Sequence, residues 1–320
     1  IGEERQGPDR LLEAILQLEG LTVAWSQLDR VLLPARVAGY RGADLDMLAA
    51  TGRLVWVGRG PAGPRDGRIA LYRRERVSEL FEPEALDEPP SPLHARLLDH
   101  LRRRGASFLT ELLQAAEGSG LDPGRGELEA ALWDLVWSGR ITNDTFAPLR
   151  ALAGGARRPR RGREPTLAGG RWSLVETLLA EVPATQRLLA RSQMLLERYG
   201  LVSREAVQAE GLPGGFAALY PVLKQMEESG RVRRGYFVEG LSGAQFALAG
   251  AVERLRSARV QEAPVDGWTE EEVCLLAATD PASPYGALLP WPATGGGATP
   301  KRVPGAWVVL VAGRVLVYVG

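Results

Sequence analysis

The apolar residues of this chain recur in a spacing that repeats three times. Leu45 and Leu48 precede Gly52 by seven and four positions; Leu132 and Leu135 stand in the same relation to Gly139, and Leu223 and Met226 to Gly230. Residues three apart share a helix face, so each segment predicts an amphipathic helix that ends at a glycine able to turn left-handed. An arginine and an apolar residue follow each glycine (Arg53-Leu54, Arg140-Ile141, Arg231-Val232), and the texture then becomes β-like. Val55-Trp56-Val57 and Ile69-Ala70-Leu71-Tyr72 flank a Gly/Pro/Arg tip, which predicts a hairpin. Tyr236-Phe237-Val238 and Gln245 to Leu248 do the same around Gly240 to Gly243. The second copy shows only a stub, Ile141 to Phe146, before Pro148. Shorter helical patterns lie upstream, such as Leu93 to Arg103 and Phe108 to Ala116. Two or three helices followed by a hairpin is the winged-helix plan. The expected fold class is therefore mainly α with small β hairpins, α+β, in three winged-helix domains in series.

Composition sets the expected boundaries. Domain A spans 1–78, an acidic, proline-rich linker 79–92, and domain B with a short wing 93–150. A Gly/Arg/Pro segment at 151–171 carries Arg157, Arg158, Arg160, Arg161 and Arg163; it reads as a disordered linker. Domain C follows at 172–248. The last part, 249–320, reads as a connecting helix from Ala249 to Arg256 and then strands at Val273 to Ala278, Ala306 to Val311 and Arg314 to Val319. These suit an incomplete β-barrel-like module. Ile1 is not a methionine and Gly320 closes a strand-like run, so the sequence reads as a piece of a longer chain.

Charge alone does not announce a partner: 39 basic residues balance 39 acidic ones across 320 positions. Any nucleic-acid argument rests on where the charge sits. Almost all the cations are arginines, Lys224 and Lys301 being the exceptions. A single cysteine, Cys274, excludes an internal disulfide. No run approaches the ~20 apolar residues of a membrane helix, so no membrane partner is expected.

The usual catalytic signatures are absent. Neither lysine follows a glycine, so there is no P-loop; His94 and His100 supply no metal cluster; no serine stands in a Gly-x-Ser-x-Gly elbow. No metal site is expected. Positive charge does gather where wings should be: Arg59, Arg65 and Arg68 at the first hairpin tip, Arg73 after it, and Arg231, Arg233 and Arg234 at the start of the third. With Arg36, Arg53 and Arg140 these are the candidate DNA-binding residues, suited to lie along a phosphate backbone. Trp56, Tyr72, Tyr236 and Phe237 lie beside them, candidates either for core packing or for stacking on unpaired bases.

Several longer phrases carry a resemblance. Leu33-Pro34-Ala35-Arg36-Val37-Ala38-Gly39-Tyr40-Arg41, Leu54-Val55-Trp56-Val57-Gly58, Asp66-Gly67-Arg68-Ile69-Ala70-Leu71-Tyr72, Ser138-Gly139-Arg140-Ile141-Thr142-Asn143-Asp144 and Asp280-Pro281-Ala282-Ser283-Pro284-Tyr285-Gly286 closely resemble the C-terminal region of bacterial Lhr helicases. The resemblance implies a superfamily 2 DNA-repair motor N-terminal to Ile1, with ATP and magnesium belonging to that motor and no cofactor in this segment. It implies single-stranded or forked DNA and the chain's own motor as partners, a capacity for self-association, and a bacterial cytoplasmic, nucleoid-associated setting. The same region is similar to the AlkZ/YcaQ family of DNA glycosylases, which places a Gln-apolar-Asp or Gln-apolar-Gln tripeptide upstream of a segment like Leu33 to Tyr40. The matching tripeptide here is Gln17-Leu18-Glu19. Its amide and acid are the candidate catalytic pair, holding a water while the carboxylate steadies an oxocarbenium-like transition state. Glutamate departs from the family pattern by one methylene. Gln27-Leu28-Asp29 has the tripeptide but lies too close to Leu33. Three readings stand: a DNA-binding accessory to a helicase, a DNA glycosylase, and an assembly scaffold without chemistry of its own.

Overall fold

The computed structural model describes residues 7–83, 89–117, 124–154, 167, 169–258, 273–293 and 299–320. The chain divides into two compact units, 1–183 and 184–320. The first opens with α1 (Pro8–Leu18), β1 (Val23–Ala24), α2 (Trp25–Gln27), a π-helical turn (Leu28–Leu32), α3 (Gly42–Ala50), β2 (Leu54–Pro61) and β3 (Gly67–Arg73). The strands form one antiparallel sheet in the order β1-β3-β2. After α4 (Val77–Leu80) the plan recurs as α5 (Pro92–Arg104), α6 (Leu109–Glu117), α7 (Arg125–Trp137) and β4 (Ile141–Asn143), with α8 (Ala147–Gly154) before β5 (Trp172–Leu174). Here the first strand shrinks to one bridge, Ser107 to Trp172. The second unit repeats the plan with α9 (Ala184–Tyr199), β6 (Leu201–Val202), α10 (Arg204–Ala209), α11 (Gly215–Glu228), β7 (Val232–Gly235) and β8 (Gln245–Leu248), its sheet ordered β6-β8-β7. Helix, strand, helix, helix, strand, strand: the winged-helix order appears three times.

The repeated glycine corners are alike in detail. Gly52, Gly139 and Gly230 all have φ near +70°, at 69°, 70° and 73°. In each, the glycine N–H donates three residues back, to Ala49, Val136 or Glu227. The N–H of the following arginine donates five back, to Leu48, Leu135 or Met226, at 2.9, 2.9 and 2.8 Å. This double closure satisfies carbonyls that the helix end leaves open, and only a residue without Cβ takes the left-handed step without strain. The leucines seven before each glycine (Leu45, Leu132, Leu223) are fully buried. One corner thus turns a buried helix face directly into a wing strand.

The two winged helices of the first unit are not beads on a string. A single core runs through both, from Leu11, Ile15 and Leu18 of α1 to Leu97 and Leu101 of α5 and Leu132 and Leu135 of α7. Phe146 is the hinge pin between them: its ring stacks on Trp25 at 5.3 Å and lies 6.1 Å from Trp56. Trp56 Nε1 donates to the Thr145 carbonyl at 3.1 Å, and Asp46 of α3 accepts from the Phe146 N–H at 2.7 Å and pairs with Arg150. The first wing lies flat on α7. A Cβ on Gly58 would overlap the Val136 carbonyl, and one on Gly67 would overlap the Trp137 ring, so both close approaches require glycine.

Three expectations change. The second wing is not a stub: Ile141, Thr142 and Asn143 pair with Leu174, Ser173 and Trp172. Trp172, placed by the sequence reading at the start of domain C, therefore belongs to domain B, because its strand completes that sheet. The arginine run from Arg157 to Arg163 then falls in sequence inside the second wing's connection; it lies outside the described residues. The acidic linker also starts later than expected. Phe81 is buried with Val55, Val57, Ala70, Tyr72, Val77 and Val175 on the outer side of the first wing.

The C-terminal part begins with α12 (Ala249–Ser257) and ends in β9 (Val273–Ala277), β10 (Trp307–Val311) and β11 (Arg314–Val319), an antiparallel sheet ordered β11-β10-β9. Among the described residues it does not close into a barrel. Arg302 ties the Asp280 to Gly286 loop beneath it, donating to the carbonyls of Thr279, Asp280, Ser283 and Tyr285 at 2.9 to 3.2 Å.

Candidate nucleic-acid interface

The structure separates the expected catalytic pair. Gln17 lies on the exposed side of α1, whereas Glu19, just past the helix end, is 0% exposed. The Glu19 carboxylate accepts the Arg73 backbone N–H at 2.8 Å and the Arg73 guanidinium at 2.9 Å, with Arg76 at 3.4 Å. It works as a clasp between the end of α1 and the end of β3, beside the Gly20 N–H to Leu71 carbonyl bond. A fully buried carboxylate held by two guanidinium groups cannot reach a sugar, so the geometry argues against Glu19 as an excision acid. Asp29 of the neighbouring tripeptide is half-buried and accepts the Tyr40 hydroxyl at 2.7 Å. Burial and then that bond to Asp29 push the Tyr40 phenol far above its ordinary value, keeping it a proton donor.

The candidate arginines sort by environment. Arg59, Arg65 and Arg68 are exposed around the tip of the first wing, Arg59 lying 5.5 Å over the Phe81 ring. Asp66 anchors this tip, accepting from the Ser26 hydroxyl and from the Gly67 N–H at 2.9 Å. Arg73 is the exception: it is committed to Glu19, so the structure removes it from the candidate DNA surface. Arg36 is half-buried with Nη1 on the Leu32 carbonyl at 3.2 Å, and Arg140 is half-buried at the second corner. Arg53 is exposed, 3.6 Å from Asp9.

The third wing is built differently from the first. Arg231, Arg233 and Arg234 are exposed along its leading strand, Arg233 paired with Glu253 at 3.2 Å and Arg234 with Glu227 at 3.3 Å. Its tip hangs on one fully buried amide. Gln245 Oε1 accepts the N–H groups of Phe237 and Val238, and its Nε2 donates to the Val238 carbonyl, all at 2.9 Å. Further along, the Ser242 N–H and hydroxyl both donate to Glu205 of α10. Burial pushes the Glu205 carboxyl up, but the Ser242 bonds, together with those from its own backbone N–H and the Ser203 hydroxyl, hold the group below its ordinary value. Of the four aromatic candidates, Trp56 and Tyr72 are core, Phe237 is half-buried, and Tyr236 stands in solvent at 82% exposure. Gln245 and Glu205 were invisible to sequence reasoning. The one signal was for Gln245, a glutamine at the start of an otherwise apolar strand; nothing in the sequence pointed to Glu205.

The third helix of each winged helix is the element that would enter a major groove. None is basic. Helix α3 carries Asp44 and Asp46, which are met by Arg41 and Arg150 from outside the helix; α7 carries Glu127, Glu129 and Asp134; α11 sets Lys224 against Glu227 and Glu228. A cleft of about 840 Å³ between α9 and α11 is floored by Leu188, Leu189, Val222 and Met226 and rimmed by Lys224 and Arg231. Among the described residues no helix is long and apolar enough to cross a membrane, and no three acidic, histidine or cysteine side chains group as a metal site.

Two family models, each described as a large helicase-related protein winged-helix domain, match residues 1–74 and 181–266. The chain belongs to the large helicase-related (Lhr) family. Curated Lhr relatives align along nearly all of it. The Mycolicibacterium smegmatis protein described as "Lhr helicase/ probable uracil glycosylase" is 39% identical over 333 residues, covering 97% of this chain and 22% of the relative. The Escherichia coli K12 "Lhr helicase/uracil glycosylase" is 39% identical over 341 residues, covering 98% and 22%. This Lhr chain thus spans about a fifth of the length of the relatives it matches. Among solved structures, the Streptomyces sahachiroi DNA glycosylase AlkZ aligns over 97% of this chain and 87% of its own, at 15% identity and a TM-score of 0.47, too loose a likeness to assign a fold.

Proposed function

We propose that this winged-helix region is the DNA-handling segment of an Lhr-type helicase, gripping the phosphate backbone with its wing tips rather than with its third helices. One observation carries the reading: exposed arginines cluster at the first and third wings, while the helices that would enter a groove are acidic or neutral. An acidic helix facing a polyanion meets repulsion, whereas wing arginines release counterions and bind without reading sequence. Such binding suits a segment that guides a strand for a motor located elsewhere in the protein. Fluorescence-anisotropy titrations at several salt concentrations test this. Affinity falls steeply with salt, and replacing Arg59, Arg65 and Arg68 together with alanine flattens the duplex salt slope by about 0.9 for each phosphate no longer neutralised. Salt-independent binding, or an unchanged slope in the triple variant, would favour the assembly-scaffold reading.

The printed names of both relatives favour uracil excision as a second reading for this region. It needs an acid other than Glu19, and Asp29 is half-buried rather than enclosed. Uracil release by the wild type, abolished in an Asp29→Asn variant whose thermal unfolding matches wild type, supports it; no release by the wild type rejects it.

A further inference from the structure

We propose that Tyr236 is a stacking platform for an unpaired base of single-stranded DNA, presented on a preorganised wing. The inference rests on the DNA-handling reading and adds to it the state of the nucleic acid recognised at the third wing.

Tyr236 is the most exposed large side chain with apolar character among the described residues, at 82%. Its neighbours explain why it points outward. Phe237 packs toward Leu201, Ala247 and Val252, and its ring lies so close over Gly235 that a Cβ there would come within 2.9 Å. Tyr236 is the residue between the end of β7 and Phe237, exposed while its neighbour packs inward. A floppy loop would let the phenol fold back on the surface. This loop is instead held at Phe237 and Val238 by the three bonds of buried Gln245, and at Ser242 by Glu205. An aromatic ring held rigidly in water gains buried area on binding at little entropic cost.

The surroundings select the partner. Arg231, Arg233 and Arg234 lead along β7 to the tip, a cationic track for a backbone. The pair of Arg233 with Glu253 is exposed and that of Arg234 with Glu227 is partly so, and exchanging an exposed carboxylate for a phosphate costs little. A cationic track ending in a presented ring is the arrangement that holds single strands, where base faces are open; a duplex hides those faces.

The test uses the whole 320-residue chain. Affinity for a single-stranded oligonucleotide containing 2-aminopurine is measured by anisotropy, and stacking by quenching of that base. Tyr236→Ala weakens single-strand binding about tenfold and abolishes the quenching, with a smaller drop on blunt duplex, while Tyr236→Phe keeps both. Gln245→Leu, which frees the loop but spares the ring, gives an intermediate effect. Thermal unfolding of Tyr236→Ala that matches wild type shows that the weaker binding does not come from misfolding. Single-strand binding and quenching equal to wild type in Tyr236→Ala would overturn the proposal while leaving DNA handling intact. Absence of salt-dependent DNA binding by the wild type would remove both.

Discussion

The first and third wings grow from the same corner, Leu-x-x-Leu/Met-x-x-x-Gly-Arg, yet the protein uses them differently. The first is a structural plank. Both of its faces are covered, one by the shared core and the other by Phe81, Val77 and Val175, and Gly58 and Gly67 lie against α7. Only its arginine tip is left over. The third wing has one buried face and a leading strand of exposed arginines, and its loop is held by side-chain bonds from Gln245 and Glu205. One motif can serve as mortar or as a probe. What decides is the residues between the corner and the tip, not the corner itself.

Three perturbations sharpen that contrast. The largest effect is expected from Glu19→Ala, which leaves Arg73 and Arg76 cationic without their shared buried carboxylate. Removing one partner of such a cluster costs about 3–5 kcal/mol, read as a lowered midpoint in urea unfolding, with the first unit melting before the second. Next comes Gly67→Ala, which drives a methyl into the Trp137 ring. Overpacking of this kind costs about 1–3 kcal/mol, visible as a lower Tm and a changed tryptophan fluorescence. An alanine at Gly250, which has open space around it and no positive φ, leaves both unchanged. The smallest effect is the Glu205 latch of the third wing. Because its folded pKa is depressed, the latch contributes stability above the ordinary carboxylate range, and that contribution fades as pH falls through the folded value. Amide hydrogen exchange at Ser242, corrected for intrinsic rate, should therefore speed up on acidification. Glu205→Gln should show fast exchange already at neutral pH.

The repeat was legible because it is local: the seven-and-four spacing before a glycine fixes a helix face and its end together. The contrast between the wings was also present in the sequence. Leu54 to Gly58 and Ile69 to Tyr72 are continuous apolar runs, the mark of strands covered on both faces, whereas β7 reads Val-Arg-Arg-Gly. The partner of β4 was not legible, since it returns from Trp172 after a long basic stretch and no periodicity links the two strands. The structure parts the candidate catalytic pair for a related reason. Tripeptide spacing placed Gln17 and Glu19 together, but the helix ends between them, and the acid turns inward to cations more than fifty residues away at Arg73 and Arg76. The proposed DNA surface was half legible: its candidate arginines could be named, but Arg73 differs from Arg68 only in what lies opposite.

The seat of Phe146 between Trp25 and Trp56 has a consequence for how this protein is dissected. The proline-rich stretch near residue 90 invites a cut, yet the chain on either side of it contributes to one hydrophobic interior. A piece ending near residue 78 would expose the indole of Trp25, the Trp137-facing side of its hairpin and the unpaired acid of Asp46. Its complement would carry a stranded phenyl ring. Neither half is a natural folding unit; the smallest autonomous fragment is the whole first unit, 1–183, because Val175 and Leu178 still pack on or bond to the first motif, and melting of the two motifs should be a single cooperative event.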